Sequence, residues 1–109
     1  MENNLQNLKR KFLEYLEIEK GSSASTLENY QRYLDRFLEF SEKNNQVKNP
    51  EEITENLIRE FRLWLNRQKV TQGKTLSKKP QNYYLIALRN FLKFLTKKNI
   101  KSISAENIE

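Results

Sequence analysis

The sequence contains no cysteine and no histidine. Without cysteine, the chain can form neither a disulfide nor a thiolate metal site, which suits a cytoplasmic protein. Without histidine, it lacks the side chain that most often serves as a general base or as a metal ligand. It has no glycine-rich phosphate loop, and its aspartates and glutamates are scattered along the chain. These absences argue against a complete active site and predict no metal and no other cofactor.

Glycine and proline are also rare, with two of each in 109 residues. Such a scarcity of breakers indicates helices and few tight turns, and no segment alternates apolar and polar residues as a strand does. The apolar runs are much shorter than the about 20 residues that span a membrane, and the polar N-terminus does not resemble a signal peptide. The length predicts one domain.

Apolar residues recur at spacings of three and four in four segments, which predicts four amphipathic helices. In chain order, the predicted helices run from Leu5 to Glu19, Ser25 to Lys43, Thr54 to Gln68 and Ser77 to Thr96. The predicted fold class is all-α, a compact four-helix bundle with residues 100–109 as an extended C-terminal tail.

Residues typical of helix ends support these boundaries. Gly21 suits the left-handed position after a helix, and Ser25 with Glu28 has the spacing of a capping box. Thr54 and Ser77 are expected to cap the third and fourth helices.

Acidic residues are absent between Phe61 and Ala105, a stretch that contains eleven lysines and arginines. The first sixty residues hold twelve acidic and nine basic residues, so the positive charge is segregated along the chain. Such asymmetry indicates a polyanionic partner, either nucleic acid or a membrane surface.

Asn82, Ile86, Arg89 and Lys93 are spaced by four, three and four residues, so they share the face opposite the core of the fourth predicted helix. A solvated face usually pairs lysine with glutamate four residues away, and this helix has no acidic residue. Ile86 fits two interpretations, a partly covered edge residue or a contact to a thymine methyl group.

Lys78 and Lys79 lie at the start of the same helix, at the positive end of its dipole, where cations are unfavourable. A bound phosphate would offset that cost, and an ordinary solvated face is the alternative. Pro80 lies in the first turn, where its missing N–H costs nothing. At the other end, Lys97 and Lys98 need no ligand because the helix C-terminus favours cations.

The outer face of the second predicted helix mixes both charges. This face carries Asn29, Arg32, Arg36 and Lys43, beside an acidic line of Glu28, Asp35 and Glu39. Pairing within the helix, as between Glu28 and Arg32 or between Glu39 and Lys43, explains these residues as well as DNA contact does. Thr26 and Asn29, in the first turn, are better placed to reach a phosphate.

Three segments carry motifs. Gly21–Phe37 contains S-x-x-T-x-x-x-Y-x-x-x-L-x-x-F, Ile53–Phe61 fits the start of a third helix, and Leu76–Leu95 resembles L-S-x-x-T-x-N-R-x-L-S-A-L-R-x-F-F-x-F-L. In this order, the segments resemble the N-terminal core-binding, or SAM-like, domain of tyrosine recombinases and phage integrases. Pro80 and Tyr83 depart from the pattern, at positions that are often Thr and often basic.

The resemblance implies a SAM-like orthogonal bundle over residues 1–100 and a linker over residues 101–109 toward a separate catalytic domain. In this family the two domains clamp duplex DNA, and the catalytic domain supplies Arg, Lys, His and the nucleophilic tyrosine. No catalytic residue is therefore expected in this chain, and none of its five tyrosines is assigned as the nucleophile. The expected role is DNA binding for integration or recombination.

The expected partners are double-stranded DNA and other recombinase subunits, with no membrane. The candidate DNA-binding residues are Thr26, Asn29, Arg32, Lys74, Lys78, Lys79, Gln81, Asn82, Arg89 and Lys93. Of these, Asn82 and Arg89 are expected to read bases, because Asn pairs with adenine and Arg with guanine. Two other functions remain open, a helical protein-interaction module that mediates oligomer assembly and a basic domain bound to anionic lipid.

Overall fold

A computed structural model describes residues 4–67 and 78–108, apart from the side chains of residues 78–80 and 107. Four α-helices follow one another: α1 (Leu5–Ile18), α2 (Ala24–Asn45), α3 (Glu55–Arg67) and α4 (Lys78–Lys97). Short 3-10 turns occupy Pro50–Glu52 and Ala105–Asn107, and the described residues contain no strand. The all-α, four-helix prediction is confirmed.

The centre of the bundle is built from one phenylalanine of each helix. Phe12, Phe37, Phe61 and Phe91 are each at most 1% exposed. The rings of Phe12 and Phe91 join α1 to α4 with centroids 5.5 Å apart, and those of Phe37 and Phe61 join α2 to α3 at 5.0 Å. The apolar stripes of all four helices thus meet in one core. Burial of such side chains stabilises the fold by about 1.5–3 kcal/mol each.

Helices α2 and α4 lie side by side and run in opposite directions. Asn90 Nδ2 donates a hydrogen bond to the hydroxyl of Tyr30 at 2.8 Å. Tyr33 lies about one turn after Tyr30 on α2, and its ring packs edge-on against Tyr84, with centroids 4.8 Å apart. Tyr84 lies before Asn90 on α4, so the two helices are antiparallel. This pairing places the outer faces of α2 and α4 next to each other.

The start of α2 differs from the prediction. Ser23, not Ser25, is the N-cap, and its side-chain oxygen accepts the backbone N–H of Thr26 at 3.2 Å. The predicted capping box of Ser25 and Glu28 is therefore wrong. Gly21 adopts the predicted left-handed conformation with φ of 62°, and the N–H of Ser22 closes the end of α1 on the carbonyl of Leu16. The chain becomes extended immediately afterwards, so Ser23 is the first residue in the conformation of an N-cap.

The other boundaries lie close to the predicted ones. Thr54 Oγ1 accepts the N–H of Leu57 at 3.0 Å and caps α3 as predicted. Helix α2 continues two residues past Lys43 to Asn45, and Gln46, which has a left-handed backbone, is its C-cap. The predicted cap Ser77 and the predicted end of α3 at Gln68 lie outside the described residues.

The segment after α4 has little regular structure, but its end packs against the bundle. Ala105 and Ile108 are buried in the same core as the helices. The Arg89 guanidinium donates a hydrogen bond to the carbonyl of Ile108 at 2.8 Å, which ties this segment to α4. The apolar residues of the segment explain its docking, because leaving them in water would forfeit their burial free energy. The boundary at residue 100 between domain and linker stays a prediction.

Glu52 provides a test of the turn between α2 and α3. Its carboxylate accepts the backbone N–H groups of Lys48 and Asn49 at 2.9 and 2.8 Å, and these bonds lower the pKa of Glu52. A lowered pKa means that Glu52 stabilises the fold above its unfolded pKa of 4.5 and that the stabilisation is lost as the pH falls through the folded value. We expect Glu52→Gln to lose less stability than the wild type when the pH falls from about 5 to about 3.

Urea unfolding of both proteins at the two pH values measures this difference. Glu51→Gln is the matched control, because the carboxylate of Glu51, next to Glu52 in the chain, accepts no hydrogen bond from any described residue. Equal pH dependence of the wild type and Glu52→Gln would contradict the assigned role of the two backbone hydrogen bonds.

Candidate nucleic-acid interface

A polar and aromatic surface covers the junction of α2 and α4. Tyr33 lies at its centre, with its ring stacked 6.3 Å from Tyr83 and edge-on to Tyr84. Tyr83 and Ile86 are 43% and 45% exposed, so the centre of the surface is partly apolar. We call this surface the α2–α4 face and define it by Asn29, Arg32 and Tyr33 of α2 with Asn82, Tyr83, Ile86 and Lys93 of α4.

Arg32 is held over the α2–α4 face. Its Nη2 donates to Asn29 Oδ1 at 2.9 Å, and its guanidinium carbon lies 5.3 Å from the centroid of the Tyr33 ring. The pair of Glu28 and Arg32, which belonged to one of the two interpretations left open by the sequence, is not formed. A planar guanidinium stacks well on an aromatic ring, and the amide of Asn29 offers a neutral acceptor. Arg32 is therefore held by Tyr33 and Asn29 without an ion pair, although it lines the same open groove as Glu28 and Asp35.

The acidic line of α2 faces another neighbour. Asp35 forms an ion pair with Lys9 of α1, whereas the Arg36 guanidinium lies 5.1 Å from the Trp64 ring of α3. The pair of Glu39 and Lys43, from the same interpretation, is not formed either, since the described residues contain only one other ion pair, within α1. Arg36 is thus directed toward α3 and Asp35 toward α1.

The predicted line along α4 divides in two. Asn82, Ile86 and Lys93 are exposed, as expected from their spacing. Arg89 is half-buried and directed to the carbonyl of Ile108, so it holds the C-terminal segment instead of lying on the α2–α4 face. The sequence spacing missed this partner because Ile108 is nineteen residues away.

Two smaller candidates lie at the margins. Thr26 is exposed in the first turn of α2, and its hydroxyl accepts a hydrogen bond from Ser23 at 3.1 Å. Gln81 is half-buried and donates from Nε2 to Asn66 Oδ1 at 3.3 Å, which connects α4 to α3. Thr26 is therefore available at the surface, whereas Gln81 has a structural partner.

The remaining lysines of the prediction are only partly described. Lys74 lies outside the described residues. Lys78 and Lys79 form the first turn of α4, which contains no acidic residue, but their side chains are outside the described part of the structure. Both residues therefore lie at the positive end of the helix dipole, as predicted.

A second group of lysines was not found from the sequence. Lys20, Lys93 and Lys97 line a groove of about 390 Å³ together with Tyr15, Ser22 and Asn90. Lys97 Nζ donates to the Tyr15 hydroxyl at 3.3 Å, and Lys20 Nζ lies 5.9 Å from the centroid of the same ring. The hydrogen bond from Lys97, with the positive charge of Lys20, lowers the pKa of Tyr15. We call this groove the lysine groove.

Within the described residues, no cluster of three or more acidic side chains could hold a metal ion. The helices in this part of the chain are also too short or too polar to cross a membrane.

Comparison with known proteins identifies the family. Residues 10–99 match the N-terminal SAM-like domain of phage integrases. The tyrosine recombinase XerC of Anoxybacillus flavithermus is 32% identical over 91 residues, which cover 84% of this chain and 28% of that protein. The XerC of Bacillus pumilus is 32% identical over 99 residues, which cover 89% of this chain and 30% of that protein.

The chain spans less than a third of the length of these two relatives. A comparison with solved structures gives no match. The domain match covers most of the described helices, and both relatives align over more than four-fifths of the chain. The chain therefore belongs to the family of phage integrase N-terminal SAM-like domains.

Proposed function

We propose that this chain binds duplex DNA as part of a site-specific tyrosine recombinase, with the α2–α4 face against the DNA. The observation that carries the proposal is the charge balance of this face. Arg32 and Lys93 form no ion pair with any described residue, and α4 has no acidic residue at all. Cations that no carboxylate neutralises are free to displace counterions from phosphates.

The chemistry of the face supports two kinds of DNA contact. Arg32 and Lys93 suit phosphate contacts, which fix the position of the protein but carry no sequence information. Asn82 can pair with the edge of adenine, and Ile86 can touch a thymine methyl group in the major groove. Arg89 is tied to Ile108, so we assign base reading to Asn82 before Arg89.

The N-terminal parts of α2 and α4 extend the proposed contact surface. Thr26 is exposed in the first turn of α2, where a hydroxyl and backbone N–H groups favour a phosphate. Lys74, Lys78 and Lys79 are proposed as phosphate contacts at and before the start of α4. Gln81 remains the least supported candidate, because its amide already binds Asn66.

Strand cleavage and rejoining are proposed for the longer protein. We assign Arg, Lys, His and the tyrosine nucleophile to a separate catalytic domain, as the family resemblance implies, and the absence of histidine from this sequence supports this assignment. The chain would hold one side of the duplex while that domain acts, alongside other recombinase subunits assembled on the DNA. Binding by this chain alone should be weak, because the proposed clamp holds the duplex only when both domains contact it.

Exchange of two cations on the α2–α4 face tests the proposal. We expect Arg32→Gln with Lys93→Gln to weaken binding to a duplex of about 20 base pairs by about tenfold or more, and to reduce the slope of log K against log salt by about two. The physical reason is the loss of two phosphate contacts. Fluorescence anisotropy with a labelled duplex over a series of salt concentrations measures both quantities.

The matched control is Lys48→Gln with Lys101→Gln. These exposed lysines remove the same charge but lie near a separate groove that also contains Glu51. An equal loss of affinity in both variants would assign the effect to net charge and not to the α2–α4 face. A wild-type chain that forms a stable dimer in light scattering and has no affinity for DNA would favour the protein-interaction alternative.

A further inference from the structure

We propose that the lysine groove binds a phosphodiester group of the DNA backbone, beyond the edge of the α2–α4 face. The inference rests on the proposed DNA-binding function and extends it to a site at the opposite end of α4 from Lys78 and Lys79. It assigns a ligand to Lys97, which the sequence explained by the helix C-terminus alone, and to Lys20, which was not among the predicted DNA-binding residues.

Three chain segments bring the groove together. Tyr15 lies in the last turn of α1, Lys20 and Ser22 belong to the connection from α1 to α2, and Lys93 and Lys97 lie in the last two turns of α4. The Tyr15 ring is fixed by packing 5.1 Å from Phe94, between centroids. The groove therefore forms only when the chain is folded, and the packed rings of Tyr15 and Phe94 make one of its sides.

The charges of the groove have one sign. None of the residues that line it is acidic, and no ion pair among the described residues includes Lys20, Lys93 or Lys97. The ends of α1 and α4 each favour a nearby cation by a few tenths of a kcal/mol, which allows the lysines to gather. That effect does not neutralise them, so an anion entering the groove would gain Coulomb attraction from all three ammonium groups.

The donors of the groove match a phosphate oxygen. Each ammonium group has three N–H donors, and Lys97 uses one of them for the Tyr15 hydroxyl at 3.3 Å. The hydroxyls of Tyr15 and Ser22 add further donors around the same space. The lowered pKa of Tyr15 agrees with this, since it reflects the positive potential that Lys97 and Lys20 create at the phenol oxygen.

Position favours a DNA phosphate over a small phosphorylated ligand. Lys93 lies both on the α2–α4 face and in the groove, so the two surfaces are continuous. The first turn of α2, with Thr26 exposed, follows directly after Ser22. A duplex that crosses the α2–α4 face would present its next backbone phosphates to this end of α4.

The test replaces the two lysines that belong only to the groove. We expect Lys20→Gln with Lys97→Gln to reduce the salt slope of binding to a duplex of about 20 base pairs by about two, with about a tenfold loss of affinity relative to Lys48→Gln with Lys101→Gln. Tyr15→Phe removes a hydroxyl donor of the groove but no charge, so the affinity should fall while the salt slope, which depends on the number of neutralised phosphates, stays the same. Circular dichroism and thermal unfolding check the fold of each variant.

If the double variant does not fold, Lys20→Gln alone keeps the test decisive, because Lys20 lies past the end of α1 and the slope should fall by about one. A groove variant that binds like the Lys48 and Lys101 control would overturn the inference. If Arg32→Gln with Lys93→Gln still weakens binding in that case, the proposed function stands without it.

Inorganic phosphate distinguishes the source of the anion. The wild-type chain is titrated with inorganic phosphate in the absence of DNA, and the NMR signals of the Tyr15 ring are followed, assigned with Tyr15→Phe. If the chain has no affinity for duplex DNA but phosphate shifts the Tyr15 signals, the groove holds a free phosphate and the assignment to a DNA phosphate is overturned. Absence of binding to both probes would overturn the proposed function and the inference together.

Discussion

Raising the salt concentration from about 50 to about 200 mM should weaken the binding of duplex DNA by about 200- to 1,000-fold, if four to six phosphates are neutralised and the slope of log K against log salt is about −4 to −5. Arg32 and Lys93 have no carboxylate partners in the described structure. No carboxylate of the described structure therefore neutralises these two charges, and their attraction to DNA is weakened mainly by added salt.

The measurement is a series of anisotropy titrations with two duplexes of different sequence. Lysine contacts to phosphate are independent of sequence, so both duplexes should give the same slope. Lys78→Ala with Lys79→Ala should make this slope shallower by about two for both duplexes. A slope near zero with the helical fold intact would exclude a phosphate-bound α2–α4 face, and an unchanged slope in the double variant would exclude the start of α4.

Replacing Phe61 by alanine should destabilise the fold by about 3–5 kcal/mol, the largest effect that we expect from a single substitution. Phe61 is fully buried, and its ring contacts Phe37 and Phe40 of α2 as well as Tyr84 of α4, with centroids 5.0, 5.4 and 6.3 Å away. Removing it leaves a cavity where three helices meet. Small domains are stable by only about 5–15 kcal/mol, so this loss brings the variant close to unfolding.

Urea unfolding followed by circular dichroism measures the loss. Leu63→Ala is the matched control on the same helix, because Leu63 is 43% exposed and its truncation should cost no more than about 0.5 kcal/mol. Similar midpoints for the two variants would contradict the placement of Phe61 at the junction of α2, α3 and α4.

The helices were predictable because their signals are local. The recurrence of apolar residues at three and four positions determined which face of each helix is buried, and Phe12, Phe37, Phe61 and Phe91 lie where this spacing places them. The N-cap of α2 was not predictable in the same way. Serines at 23 and 25 both suit a cap, and only the path of the chain after Gly21 selects Ser23.

The candidate interface was predictable only in part. The exposure of Asn82, Ile86 and Lys93 follows from the helical period alone. Arg89 has the same spacing, but the docking of Ile108 gives it a structural partner. The helical period predicts which residues lie on the same side of a helix, but it does not predict which other segment of the chain packs against that side.

The sequence by itself determined the helical class, the apolar stripes and the segregation of positive charge, because each depends on the order of residues over a few turns. Tertiary structure decided which cations remain without a carboxylate and which of them share a surface. Lys20 and Lys97 are far apart in the chain, yet both reach the ring of Tyr15. Their meeting depends on how the ends of α1 and α4 pack, and no local pattern of the sequence encodes that distance.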